Sequence, residues 1–494
     1  MVVMGLDVGT TGVKSVVYDG GKALASAYCE YGGGGAVLDP ETLWLGVRRV
    51  IREAAGKAPP AVIGISSFGE SFVPVDAYGR ALDEILLYTH KSGAEACGEL
   101  ETRLGESLAE TAGARAHPMY TLPKLMWLRK RKPDVFSRMA SCLLIEDYII
   151  FRLTGRKATD YSLAARTLAF DIRRKAWSPA ILEAAGMNAG LFPEPLPPGT
   201  IVERVRPEVC EELGLPRGTK VSTGGHDQVC AAVGAGALAP GASANGMGTV
   251  ECVTPVFDRP ETGEPMRRGG YACVPFATEG NYATYAFCFT GGALLKWYRD
   301  RFAAREAAEA KRSGTSAYAL LDAQVGKRPS GLLLLPHFAG AGTPWMDDRA
   351  LGAIAGLTLD TEPVDIYRAI MEGVAYEMRL NLEMLGEAGI EAGELRATGG
   401  GASSPVWLQI KADILNRRIT ALEDCQAGAV GCVALAAKAS GEFTSLGEAV
   451  ACCSKPGKVY EPDARRAEEY RGYYEKYRLM YGAVKALRVG DPGI

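Results

Sequence analysis

Asp7, Thr10, Thr11 and Lys14 stand in one short run, Met4-Gly-Leu-Asp-Val-Gly-Thr-Thr-Gly-Val-Lys-Ser-Val-Val-Tyr-Asp19, whose residue types suit the holding of a phosphate. Apolar and β-branched residues at 2–6 and 13–18 flank Gly9-Thr10-Thr11-Gly12, the pattern of a hairpin closed by a glycine turn. Successive N–H groups in such a turn form an anion-binding concavity, and the two threonine hydroxyls add donors. A carboxylate at Asp7 suits Mg²⁺ held through water, and Lys14 follows at a reach suited to a terminal phosphate. Read alone, the run fits an ordinary glycine-rich hairpin equally well.

Three further runs carry chemistry. Residues 61–67 read as a buried strand entering the loop Phe68-Gly69-Glu70-Ser71, with a second strand at 72–76. Val221-Ser-Thr-Gly-Gly-His-Asp-Gln-Val-Cys-Ala-Ala-Val-Gly234 reads as a strand end, a Gly-rich loop and a helix with Asp227 at its N-terminus. Standing alone, that aspartate would be a helix cap. Gly246-Met-Gly-Thr-Val-Glu-Cys-Val253 repeats the theme of a Gly/Thr turn feeding a strand. Gly399-Gly-Gly401 then precedes a helix capped by Ser404 with Pro405 at its first position, and Val406, Trp407, Ile410 and Ile414 on its inward face. Three glycines admit a ligand close to the backbone, as an adenosine pocket requires.

The elements that must position these runs are bounded by length and composition. At 494 residues the chain exceeds one ordinary hydrophobic core, so two domains are expected, with the crossing near 240–245 where Ala, Gly, Ser and Pro concentrate. A formal net charge of -3 and the lack of a long basic run argue against nucleic acid or an anionic membrane as partner. No apolar run reaches the ~18 residues of a membrane span and no charged leader precedes the hairpin, so a cytoplasmic protein is expected. The 12 cysteines include no Cys-x-x-Cys pair, and the 4 histidines are far apart in sequence; reduced thiols are expected rather than a disulfide framework or metal site. A helix over 464–487, rich in Tyr, Arg, Lys and Glu, is expected to pack across the surface.

In this order the motifs resemble the FGGY carbohydrate kinases, within the actin-like ATPase superfamily. Met119-Tyr-Thr-Leu-Pro-Lys-Leu-Met-Trp-Leu-Arg-Lys130 is similar to the family's first signature, with Lys124 and Trp127 in place and only Arg131 off pattern. Gly352-Ala-Ile-Ala-Gly-Leu357, followed by Asp365-Ile-Tyr-Arg-Ala-Ile-Met-Glu372, is similar to the second. The resemblance implies an α/β chain of two ribonuclease-H-like domains, 1–241 and 242–494, flanking a catalytic cleft that closes during phosphoryl transfer from ATP.

On this resemblance Asp227 is the catalytic base, orienting the attacking hydroxyl and taking its proton. Thr10, Thr11 and Lys14 would hold the β- and γ-phosphates from the first domain, with Gly248 and Thr249 approaching from the second. Gly292, Gly400 and Ser404 would line the nucleotide site, Asp7 would hold Mg²⁺, and Gly69, Glu70, Met119, Asp227 and Gln228 would face the sugar. The family also makes a homodimer a candidate assembly. The loop at Gly69-Glu70 sits where xylulose kinases carry Gln-Met-His-Gly and glycerol kinases Asn-Gln-Arg-Glu. Glu70 would offer two acceptors to neighbouring hydroxyls. Because Asp76, Asp83 and Glu84 are near it in sequence, an uncharged substrate is expected: ketopentoses such as xylulose first, then polyols such as glycerol, then deoxyhexuloses. The other class with these phosphate turns is an actin-like nucleotide switch or hydrolase acting without sugar.

Overall fold

A computed structural model describes residues 1–32, 35–423 and 426–488. Its first sheet contains β1 (Val2–Val8), β2 (Gly12–Asp19), β3 (Lys22–Glu30), β4 (Val62–Ser67), β5 (Ile201–Arg204) and β6 (Lys220–His226), in the order β5-β6-β4-β1-β2-β3. β1 pairs antiparallel with β2 and parallel with β4, and β4 pairs parallel with β6. Every residue of β4 is buried, as expected of a parallel strand covered on both faces, and its apolar run Val-Ile-Gly-Ile supplies that burial.

The second sheet repeats this plan. It contains β7 (Ala242–Met247), β8 (Glu251–Phe257), β9 (Val274–Pro275), β10 (Tyr282–Ala283), β11 (Ala286–Cys288), β12 (Glu394–Thr398), β13 (Ile419–Leu422) and β14 (Pro456–Tyr460). β7 pairs antiparallel with β8 and parallel with β12, which pairs parallel with β13. The stretch expected to be a crossing at 240–245 is thus already entering β7, because Ala, Ser and Asn pack there as a strand with Ser243, Ala244 and Asn245 buried.

Two helices tie the halves together. The Asp227–Gly234 helix follows β6 directly, and the Ala427–Ala439 helix, from late in the chain, lies against the first sheet and crosses it. Small residues permit the approach. A Cβ added at Gly431 would lie 1.9 Å from the Cys230 carbonyl oxygen, and one at Gly234 would lie 1.9 Å from that of Ala427. At Gly5 and Gly64, Cβ atoms would meet the carbonyls of Ala429 and Cys432 at 2.3 and 2.5 Å, so the helix beds on β1 and β4 through backbone.

The last helix, Ala464–Ala486, does not merely cross the surface. Tyr470, Tyr474 and Tyr477 are buried on one stripe, and their hydroxyls donate to Glu372, Glu383 and Glu377 of the long Pro363–Glu387 helix, the first two bonds at 3.0 and 2.6 Å. Its charged residues mark only the outer face.

The helix crossing generates a stability prediction. Gly431→Ala should destabilise by about 1–3 kcal/mol, the cost of forcing atoms into a packed interior. Gly472→Ala, in a helix with open space around its Cβ, should instead stabilise by up to about 1 kcal/mol. Chemical denaturation of both variants checks this; equal stability would remove the crossing from the account.

Candidate active site

Asp227 is aimed by a distortion in β6. The pairing of β6 with β4 shifts register between Thr223 and Gly225, and Gly225 has φ +135°. Such a bulge redirects the side chains C-terminal to it. Buried groups capture the N–H groups of the distorted stretch: Gly224 N donates to Glu146 Oε1 at 2.7 Å, and His226 N to Ser162 Oγ at 2.9 Å. Ser162 Oγ in turn donates to Asp160 Oδ1 at 3.0 Å. The expected Gly-rich loop is therefore strand, because these partners satisfy its backbone in extended form. His226, not Asp227, is the cap: its Nδ1 accepts from Gln228 N at 3.2 Å. That leaves Asp227 on the first helical position, half-buried, with its Oδ1 buried and without a hydrogen-bond partner among the described residues. Burial pushes its carboxyl up to about 7, with the negative charges of Asp7 and Glu70 adding to the shift and hydrogen bonding from Gln228 opposing it.

Glu70 stands beside it under constraint. It has φ +62°, a left-handed conformation unusual for a residue with a Cβ, and is 4% exposed. Thr121 Oγ1 donates to its carbonyl at 2.9 Å, and Lys124 Nζ donates to the same carbonyl and to that of Met119. The carboxylate Oε1 is ion-paired with Arg166, which is equally buried. Of its two acceptors, Oε1 is therefore occupied, and no hydrogen bond to Oε2 is seen among the described residues. Arg166 Cζ lies 4.8 Å from the Tyr120 ring centroid and 5.1 Å from that of Tyr285. Burial and the Arg166 charge hold His226 well below the usual imidazole range, so it is neutral here.

The other carboxylates expected near the pocket belong elsewhere. Asp76 closes its own turn, accepting from Tyr78 N, Arg80 N and Arg80 Nε, while Asp83 pairs with Lys132 and Glu84 is exposed. Sequence proximity misplaced them because residues 76–84 form a turn and loop between two short strands, where Asp76 closes its own turn and Asp83 meets Lys132. Met119 contributes its carbonyl to Lys124, and the Gly69 Cα sits where a Cβ would be 2.7 Å from His226. Gln228 Oε1 reaches toward Gly246 of the second sheet.

Gly248, Thr249, Gly292, Gly400 and Ser404 converge on one cavity of about 1430 Å³, also walled by Trp297, Tyr318 and Asp322. Its floor is tight. A Cβ at Gly292 would lie 2.7 Å from the Gly248 carbonyl oxygen, and Gly292 N donates to that oxygen at 2.9 Å, joining the Gly292–Phe302 helix to the β7–β8 turn. Ser404 Oγ accepts from Trp407 N at 3.1 Å and donates to Asp322 Oδ2 at 2.7 Å, so cap and cavity wall are one residue. Val406 also lines this cavity and is only half-buried, while Trp407, Ile410 and Ile414 are core. Beneath the turn, Lys411 and Glu251 form a fully buried ion pair.

Thr10 and Thr11 face a separate cleft of about 180 Å³ with Tyr88 and Thr89. Their hairpin is closed by Gly9 N donating to Gly12 O at 2.9 Å. Lys14 on β2 is the register partner of Asp7 on β1. Asp7 accepts from Ser66 Oγ at 3.0 Å; burial raises its carboxyl, opposed by Ser66 and Lys14. No three His, Cys, Asp or Glu side chains converge as a metal-binding group among the described residues. That donor set still fits Mg²⁺, which takes most ligands from water and phosphate and needs only one or two carboxylates. No helix among the described residues is long and apolar enough to cross a membrane.

Twin sheets of this topology, with a large cavity lined by glycine turns, define an actin-like ATPase fold. The chain belongs to the FGGY family of carbohydrate kinases: the family's N-terminal domain matches residues 2–234 and its C-terminal domain residues 244–440. It is thus an ATP-dependent carbohydrate kinase. It is 30% identical over 499 residues to a xylulose kinase from Bacillus subtilis, covering 98% of this chain and 97% of that protein. Among solved structures, a gluconate kinase from Lactobacillus acidophilus superposes with a TM-score of 0.89 at 26% identity, covering 98% of each chain. A ligand-bound xylulose kinase from the same organism superposes at 0.88 with 25% identity, covering 98% of this chain and 99% of that one.

Sequence reasoning missed Arg166, Tyr120, Tyr285 and His117. The Arg166-Thr167 pair follows a capped helical turn, Tyr161–Ala165, but nothing local announces that its guanidinium meets Glu70 across 96 residues. His117 is held down to about 4 by burial, with the charges of Arg115 and Arg166 adding to the effect. If Asp227 takes the substrate proton, kcat/KM should fall about tenfold per pH unit below about 7 and level off above it, since protonation at that value removes the acceptor. Asp227→Asn should lower kcat by about 10²- to 10⁴-fold. A wild-type profile flat down to pH 5 would contradict the assignment.

Proposed function

We propose that the chain phosphorylates a neutral ketopentose such as xylulose or ribulose, with Asp227 as the base. The observation that carries this reading is the pairing of Glu70 with Arg166 beside Asp227. Arg166 is spent on Glu70, so a substrate carboxylate would meet an occupied cation and two nearby acidic groups; hydroxyls would meet Glu70 Oε2 and a carboxylate ready to accept a proton. Asp76 and Asp83 add nothing to this contrast, since they pair with Arg80 and Lys132 away from the site. The similarity to xylulose kinases agrees with it.

In this reading the nucleotide occupies the cavity of Gly248, Thr249, Gly292, Gly400 and Ser404, with Thr10, Thr11 and Lys14 meeting its terminal phosphates from the first sheet. The domain division falls at 241/242, at the entry to β7. Gly69, Met119 and Gln228 line the sugar side with Glu70. Asp7 would hold Mg²⁺, which neutralises phosphate charge when bound. The residues themselves do three things: Glu70 fixes the sugar, Asp227 orients one hydroxyl and takes its proton, and approach of the two sheets excludes competing water.

One observation favours a sugar acid instead. Arg115 is half-buried next to His117 and has no ion pair among the described residues, so it is a cation available to a carboxylate. The gluconate kinase likeness points the same way. An ATP-consumption assay over xylulose, ribulose, glycerol, a deoxyhexulose and gluconate, with Mg²⁺ and again with EDTA, separates the readings. The expected result is highest kcat/KM on a ketopentose, at least about tenfold above gluconate, the scale of one misplaced charge, and no turnover in EDTA. Gluconate as best substrate would overturn the ketopentose reading, and sugar-independent ATP hydrolysis would overturn both.

A further inference from the structure

We propose that Tyr285 is a positioning residue through which the second sheet sets both Glu70 and Asp227. The proposal rests on the sugar-binding role of Glu70 and the base role of Asp227. Tyr285 stands between β10 and β11, in the second half of the chain, and is 4% exposed. Its ring stacks on that of His226 with centroids 4.9 Å apart and planes at 22°. His226 Nδ1 caps the helix that begins with Asp227, and Asp227 Oδ1 lies 3.0 Å from the same nitrogen. The Arg166 guanidinium lies over the Tyr285 ring as well, and Arg166 holds Glu70. One aromatic side chain from the second half therefore supports the two groups that orient the carboxylates in the first half.

The contacts use the ring and not the hydroxyl. Although buried, the Tyr285 hydroxyl has no hydrogen-bond partner among the described residues. An unmet buried hydroxyl adds no stability, so the phenyl face is what the arrangement requires. A flat ring offers the guanidinium a negative π-face and the imidazole a stacking surface; a branched aliphatic side chain offers neither. Losing the ring would let Arg166 and Glu70 relax, weakening sugar binding, and would loosen the His226 cap, misplacing Asp227. The nucleotide cavity has no wall from Tyr285 and should be left as it was.

The test compares Tyr285→Phe with Tyr285→Leu in full-length enzyme, using ATP and the best neutral sugar of the panel, D-xylulose being the first probe. Phe should keep kcat and both Michaelis constants within about twofold. Leu should lower kcat and raise the sugar KM by about tenfold each, the scale of one lost aromatic contact, with the ATP KM unchanged. Should the Leu protein fail to fold by circular dichroism, Tyr285→Met is read against the same criteria. A Leu or Met enzyme with wild-type sugar parameters overturns the proposal. So does a Phe enzyme as impaired as Leu, or an ATP KM that rises with the sugar KM. Failure of the base assignment would show separately, as full activity in Asp227→Asn.

Discussion

The close crossing of two helices, possible only because Gly234 and Gly431 lack side chains, is the constraint on which the site depends. Each would-be Cβ falls 1.9 Å from a carbonyl oxygen of the other helix, so the backbones touch. Both helices begin at the cleft. One starts with Asp227; the other starts at Ala427, and Gly428 lies so close to Asp7 that its Cβ would be 2.8 Å from Oδ2. The crossing thereby fixes the proposed base and the proposed metal carboxylate relative to each other. It also sets two helix N-termini, the ends that favour negative charge, beside these two carboxylates. The contact between the two helices is thus made of backbone.

Around that contact, charges are paired until few are left to do chemistry. Arg166 is committed to Glu70, Lys124 to two carbonyls, and Lys411 to Glu251. Buried pairs of this kind add little net stability, because desolvation offsets attraction, but breaking one strands a charge. Their effect here is geometric: Glu70 is held in a left-handed backbone conformation with its Oε1 fixed on Arg166. Asp227 is the exception, raised toward neutrality by burial and by two like charges. That contrast suits the roles proposed for them, Glu70 holding a hydroxyl and Asp227 taking its proton.

Much of the site was legible because its parts are local. The Gly9–Gly12 turn, the helix starting at Asp227 and the Ser404 cap each depend on neighbours within a few residues, and turn and cap chemistry report them directly. Of the seven glycine, serine and threonine positions expected at the nucleotide, five converge on one cavity, while Thr10 and Thr11 line a separate cleft. What sequence could not show was pairing over distance. Arg166, Tyr120 and Tyr285 meet around Glu70 only after folding, and Asp83, near Glu70 in sequence, is drawn off by Lys132. The Gly224-Gly225 stretch looked like a loop because glycine is permissive; Glu146 and Ser162 hold it as strand. In the last helix, tyrosines spaced at 470, 474, 477 and 481 formed a stripe, but the surrounding Arg, Lys and Glu masked it.

The central claim is that transfer requires the two phosphate turns to approach about the glycine crossing, since Thr10 and Thr11 do not line the cavity that Gly248 and Thr249 share. Electron–electron resonance distances between spin labels at exposed Tyr78 in the first half and Leu359 in the second test it most directly. With a non-hydrolysable ATP analogue and sugar together, the distance distribution should narrow and shift, while either ligand alone should leave it closer to that of the free enzyme. A distribution unmoved by both ligands, in labelled protein that still phosphorylates sugar at the unlabelled rate, would contradict the account.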